Sequence, residues 1–291
     1  MPWTHGYGER MRCDMNKRRY FYFYKRNKKL CILSFLAVVL LASFLFSSFL
    51  VPYDPYEQHL EIARSAPSWS HWMGTDRYGR DLFSRVWMGG QVTVLGALSV
   101  VTLISITGIG IGLCAGWYGG WVNQVLMRSS DLFLAFPGLV LALALVGVSQ
   151  GGLVSAIAAL WVVGWPKYAR LSRGLALSLR GESFIEASRL LGIPDWKIMA
   201  THMLPNMAGP ILVTAVLDIG TVMMGLSGLS FLGIGIKPPT PEWGAMISEG
   251  RNFLQLCPWM VLAPGGAMCL TVILFNLLGD TLRDYYDPKE K

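Results

Sequence analysis

Charge is what this 291-residue chain has least of: Asp, Glu, Lys and Arg together make up 15% of it, against about 25% in an ordinary soluble domain. A chain so poor in charge and 53% hydrophobic is not an independent soluble enzyme, and it is not a disordered segment either. Cysteine is scarce too. Cys13, Cys31, Cys114, Cys257 and Cys269 have neither paired nor metal-ligand spacing, which excludes a disulfide scaffold and leaves them as small packing residues. The four histidines, His5, His59, His71 and His202, are scattered, so no metal site follows. The chain lacks the G-x-x-x-x-G-K-[ST] phosphate loop, so ATP, if used, is hydrolysed elsewhere.

What is present is a series of long uncharged runs, and about 20 apolar residues are enough for one helical crossing of a bilayer. The fold class expected is an all-α polytopic membrane protein. A transmembrane domain over residues 30–290 would hold about six helices, near 30–51, 91–115, 132–148, 153–168, 206–232 and 254–279. Residues 1–29 form an N-terminal tail with nine Lys and Arg between Arg10 and Lys29, a cytoplasmic flank by the positive-inside rule. The first run lacks a small-residue cleavage site around Leu50-Val51-Pro52-Tyr53, so it reads as an uncleaved anchor. Met15 is an alternative start. The run from Leu132 to Pro166 breaks at Ser149-Gln150-Gly151-Gly152. Reading it as two crossings puts most of the 25 Lys and Arg, including Lys167, Arg170, Arg173, Arg180, Arg189 and Lys197, on the cytoplasmic side with both termini.

Glu182 to Gly192 carries the strongest local signal. Phe184, Ile185, Ala187, Ser188 and Leu191 give a short helix an apolar face, Glu182 and Glu186 lie four apart, and Gly192 with Pro194 ends it. Helices that lie on lipid headgroups usually display Lys and Arg, so two glutamates point to docking on another protein. Glu186-Ala187-Ser188-x-x-x-Gly192, with Leu204-Pro205 following, resembles the E-A-A-x-x-x-G loop of ABC-importer permeases, with Ser188 in place of the second alanine. Gly74-Thr75-Asp76-Arg77-Tyr78-Gly79-Arg80-Asp81, continuing to Ser84-Arg85, is similar to the G-T-D-x-x-G-R-D-x-x-S-R segment of the dipeptide, oligopeptide and nickel permeases, in their "C" type subunit. Pro238-Pro239-Thr240-Pro241-Glu242-Trp243-Gly244 matches the loop before the last helix in that group. The similarity runs from about Leu30 to Pro288.

The resemblance implies one membrane subunit of a heteromeric importer in a prokaryotic inner membrane. Its partners would be a second permease, two ATPase subunits and an extracytoplasmic solute-binding protein, with no nucleic acid. ATP and Mg would be bound by the ATPases, and no cofactor by this chain. Glu182, Glu186, Ala187, Ser188 and Gly192 would couple to an ATPase. Gly74, Thr75, Asp76, Gly79, Arg80, Asp81, Pro239, Glu242, Trp243 and Gly244 would lie in exported loops. The first group reads from its charges as a self-satisfied salt-bridged turn rather than a substrate site, and the second as a contact for the binding protein or a turn that shapes a gate. Asp218, the one acid in the last three apolar runs, must face the bundle interior or water. It is read either as a structural residue or as a pathway residue, with Met223 and Met224 as possible soft lining. The wording Leu217-Asp218-Ile219-Gly220-x-x-Met223-Met224 is closest to nickel-type permeases, so nickel or a nickel chelate is the first substrate reading and short peptides the alternative. A stand-alone secondary transporter is a distant third, since no pair of repeated halves is evident.

Overall fold

A computed structural model describes residues 28–149 and 151–286; the basic tail up to residue 27, with Met15 and Cys13, lies outside them, whereas Lys28 and Lys29 begin the first helix. The elements are α1 (Lys28–Leu45), α2 (Ser47–Leu50), α3 (Leu82–Tyr118), α4 (Gly120–Leu134), α5 (Gly138–Val148), α6 (Leu153–Arg180), α7 (Ser183–Leu190), α8 (Asp195–Ile198), α9 (Leu204–Phe231), α10 (Trp243–Gly250) and α11 (Trp259–Tyr286). No strand occurs among the described residues, only an isolated bridge between Thr75 and Asp81. The bundle is organised around α3, α6, α9 and α11, with α3 against α6 the most extensive contact.

Four helices are long and apolar enough to cross a bilayer: α1, α3, the continuous run Asp195–Phe231 and α11. The pair α4 and α5, bent by 86°, makes a fifth if taken as one broken span. The expected count of about six is met only if α6 is included. That helix is 28 residues long, but Lys167, Arg170, Arg173 and Arg180 occupy its second half, so it fails by composition rather than length.

Several ends differ from those expected, each for a local reason. The helix expected from 91 begins at Leu82, because Asp81 accepts the Ser84 N–H at 2.8 Å as its N-cap and acids outside the helix answer Arg85. The helix expected to end at 168 runs on to Arg180, where Arg170 meets Asp131 at 2.6 Å and Arg173 meets Asn123 at 2.5 Å. The last helix starts later, after Pro258, and continues past Gly279 to Tyr286. The first closes at Leu45 before the short α2.

One packing device explains the α3–α6 contact. Gly108, Gly112 and Gly116 recur every four residues on α3 and therefore share one face. A Cβ at Gly108 would lie 2.4 Å from the Tyr168 side chain, at Gly112 2.2 Å from the Ala169 carbonyl, and at Gly116 2.6 Å from Ala176. In lipid, where apolar burial between helices drives little, such close backbone approach is what holds helices together. Replacing Gly112 by Val should therefore force α3 and α6 apart at a cost of about 1–3 kcal/mol and lower the thermal midpoint of the purified protein. Gly110→Ala, where a Cβ meets nothing within 4 Å, should leave it unchanged.

Candidate functional site

The residues singled out in the sequence occupy three places along the bundle. As α3 is 37 residues long, its ends are about 55 Å apart, and the first two places sit at opposite ends of it.

At the N-terminal end of α3 the chain builds a buried ionic network. Gly74 and Gly79 take positive φ, 77° and 74°, which turns the segment back on itself. Asp76 Oδ1 accepts the backbone N–H groups of Tyr78 and Arg80 at 2.8 and 3.0 Å, and its Oδ2 accepts Arg80 Nε at 2.5 Å. Arg85 Nε lies 3.4 Å from the same oxygen. Both arginines reach on to Glu249 of α10, with Oε2 at 3.1 Å from Arg80 and 3.6 Å from Arg85. Arg85 also donates to the carbonyls of Pro55 and Pro239. Asp81 bonds the Ser84 hydroxyl at 2.7 Å and His71 Nδ1 at 2.9 Å, and Thr75 Oγ1 donates to the Ile62 carbonyl. Thr75, Asp76, Arg80, Asp81 and Arg85 are all buried. The turn is salt-bridged, but it is not self-contained: sequence reasoning missed Glu249, whose only local signal is that it is an acid in a stretch with few charges.

Glu242 and Trp243 are fully buried as well. Glu242 is the N-cap of α10, accepting the Ala245 N–H at 2.8 Å, and its other oxygen accepts the hydroxyls of Ser227 at 2.7 Å and Thr93 at 3.1 Å. One carboxylate thus ties α3, α9 and α10 together. Trp243 Nε1 donates to the Val86 carbonyl at 2.8 Å. Gly244 lies where a Cβ would be 2.1 Å from the Ser227 carbonyl. Of this loop, Pro239 stays exposed. A buried clamp of this kind offers no side-chain surface at Glu242 or Trp243 for a docking protein.

The second place is α7, beyond the C-terminal end of α6. Ile185 and Ser188 point inward, and Ser188 Oγ donates to the Phe184 carbonyl at 2.7 Å. Arg189 sits 4.2 Å over the Trp117 ring and Phe184 meets His202 edge-on, which fixes the short helix against α3 and the turn before α9. Gly192, at φ 72°, closes it: its N–H donates to the Arg189 carbonyl and that of Ile193 to the Ser188 carbonyl. Glu182, Glu186 and Ala187 are exposed. The apolar face expected over Phe184, Ile185, Ala187, Ser188 and Leu191 is divided: Ile185 and Ser188 are buried, whereas Phe184, Ala187 and Leu191 are exposed. Leu190 at the end of α7 is 90% exposed, Leu191 just after it 79%, and Trp196 on the following α8 68%, so this short stretch displays three large apolar side chains. Leu190 and Trp196 were not singled out in the sequence, because a helix of two turns leaves its facing undetermined.

The third place lies midway along α6 and α9. Asp218 is buried and pairs with Lys167, Nζ to Oδ1 2.6 Å. Met223 is buried in the core, whereas Met224 is half exposed. No group of three His, Cys, Asp or Glu that would hold a metal occurs among the described residues.

Residues 108–291 match the family described as the binding-protein-dependent transport system inner membrane component, which is more than half of the chain. The chain belongs to this family. As an ABC-importer permease it is a non-catalytic membrane subunit that works with a second permease, a separate ATPase and a substrate-binding protein. The permease is 40% identical over 256 residues to the glutathione transport system permease protein GsiD of Pectobacterium atrosepticum, covering 87% of this chain and 85% of that one. It is 39% identical over 271 residues to the dipeptide transport system permease protein DppC of Alkalihalophilus pseudofirmus, covering 92% and 88%. Its fold is like that of a chain in the inward-facing MetNI methionine ABC transporter, with a TM-score of 0.51 at 20% identity over 67% of this chain and 94% of that one. These relatives are named for glutathione and dipeptides, so the nickel reading of Leu217–Met224 finds no support among them.

Removing one partner of a buried ionic network leaves the others uncompensated, at about 3–5 kcal/mol. Arg80→Met should therefore lower the melting midpoint of the purified permease sharply. Arg77→Met should change it little, since Arg77 is partly exposed and 4.0 Å from Glu249.

Proposed function

We propose that this permease forms half of the translocation pathway of an ATP-driven importer for short peptides. In this reading α7 docks in a groove of a partner ATPase, and closure of the ATPase pair on ATP tilts the helices between inward- and outward-facing arrangements. ATP and Mg belong to that partner, and this chain carries no cofactor. One observation supports the mechanical part above all: Leu190 at the end of α7, Leu191 just after it and Trp196 on the following α8 all stand exposed, next to a helix that is itself anchored by Ile185 and Arg189. Apolar groups so grouped mark a protein contact, and a rigidly seated helix transmits displacement. The two acids beside them favour a partner surface with basic groups. Similarity to permeases named for glutathione and dipeptides, over nearly the whole chain, favours peptide cargo over nickel.

The orientation belongs to the same proposal. The α7 end and both termini lie in the cytoplasm, and the network around Asp76 and Glu242 lies on the exported side, where it braces the entrance.

Three measurements test these points. Glu186→Arg, or Gly192→Pro at a φ proline cannot adopt, should abolish uptake and weaken co-purification of the ATPase while the permease still inserts; unchanged retention and transport would sink the coupling role. Single cysteines at Ser178 and Thr240, in a background without native cysteines, should react with impermeant reagents from opposite sides, and same-side labelling overturns the orientation. Deleting the permease should remove dipeptide or glutathione uptake and leave nickel accumulation intact; the reverse pattern returns the nickel reading.

A further inference from the structure

Lys167 follows Pro166 near the middle of α6, and its Nζ donates to Asp218 Oδ1 on α9. The two members of this pair are unequally placed. The Asp218 side chain is 10% exposed but that of Lys167 is 57% exposed, so the ammonium stands on an open face of the bundle. A cation halfway along a membrane helix does not face hydrocarbon; it faces water or another polar surface. The next basic residues of α6 are engaged elsewhere, Arg170 by Asp131 and Arg173 by Asn123. Along α9 the neighbours one turn either side of Asp218 are polar, Thr214 and Thr221, with Met224 exposed beyond them. Tyr168, adjacent to Lys167, is fully buried, with its hydroxyl beside Asp218 and Ser105.

Opening a pair of this kind returns the exposed Lys167 ammonium to water but leaves the buried Asp218 carboxylate unanswered. A ligand that carries both signs can open it at constant count. Its carboxylate takes the Lys167 ammonium, its ammonium takes the Asp218 carboxylate, and two ion pairs replace one internal pair and one solvated zwitterion. A bare metal cation cannot do this, since it would bind Asp218 and be repelled by Lys167. Two extended residues hold their terminal charges about 7 Å apart, a span that the long Lys167 side chain accommodates by swinging off its partner. We propose that the Lys167–Asp218 pair is a specificity-determining site of the pathway that receives the terminal carboxylate and terminal ammonium of a short peptide by exchange of ion-pair partners. The assignment rests on the peptide-importer reading above.

The test uses the complete importer, reconstituted in proteoliposomes with its ATPases, second permease and binding protein, and measures dipeptide uptake alongside co-purification of the subunits. The double variant Lys167→Met with Asp218→Asn leaves no uncompensated charge, so it should assemble, yet its dipeptide uptake should fall by at least about tenfold, the equivalent of one lost charge-assisted contact. The exchanged pair Lys167→Asp with Asp218→Lys still presents both signs and should recover most of that uptake. Wild-type uptake in the neutral double variant would show the pair to be structural and overturn the assignment. As a second readout, Lys167→Cys in a cysteine-free permease should react with a small water-soluble methanethiosulfonate in the assembled importer, and more slowly during dipeptide turnover. A thiol that stays unreactive places position 167 against another subunit and also overturns it. If the wild-type importer moves nickel and no dipeptide, the substrate reading fails first and the assignment falls with it; normal dipeptide uptake with an insensitive pair removes the assignment alone.

Discussion

Among the described residues each buried charged side chain is answered by a charge or a hydrogen bond, in several cases from a distant part of the chain, and the arrangement of the bundle follows from that constraint. Asp76 meets Arg80 and Arg85 from within the same turn, and Glu249 reaches both from α10, 169 residues from Arg80. Glu242 collects hydroxyls from α3 and α9 while capping α10. Asp218 takes the ammonium of Lys167. In a medium without water an unanswered charge costs several kcal/mol, so each of these contacts dictates which helices lie together and at what height. Apolar packing then fills the space between points already set.

The two ends of α3 are built differently. At its N-terminus the ionic network, the clamp at Glu242 and Trp243 and the turns at Gly74 and Gly79 make a dense, polar, buried knot. At its C-terminus the short α7 is held by a few contacts, and Leu190, Leu191 and, on α8, Trp196 are left bare. The proposed transport role needs that asymmetry: one end stays rigid while the other offers a handle that a partner can grip. Between them, the glycine stripe on α3 lets the backbone of α6 approach it closely.

The helices themselves were legible in the sequence, because a hydrocarbon environment demands long uncharged runs and turn residues interrupt them plainly. Their ends were not. Arg85 and Lys167 look like helix boundaries to any reading that treats charge as incompatible with a buried helix, yet Arg85 lies in the first turn of α3 and Lys167 in the middle of α6, because Glu249 and Asp218, both remote in sequence, reach them. The loop proposed to couple to the ATPase was legible as a motif, with Glu186, Ala187, Ser188 and Gly192 at its spacing. Its outward surface was not, because eight residues make about two turns and either face can be buried.

By itself the sequence determined the membrane setting, the all-helical class, the family and the short helix that ends at Gly192, for these depend on composition and on local spacing. Only the tertiary structure decided that Glu242 and Trp243 are buried rather than displayed, that the Asp76 turn is completed by Glu249, and that Asp218 has Lys167 as its partner. Those are pairings between residues far apart in the chain. The free energy that selects them comes from desolvating charges together, which no single segment of sequence records.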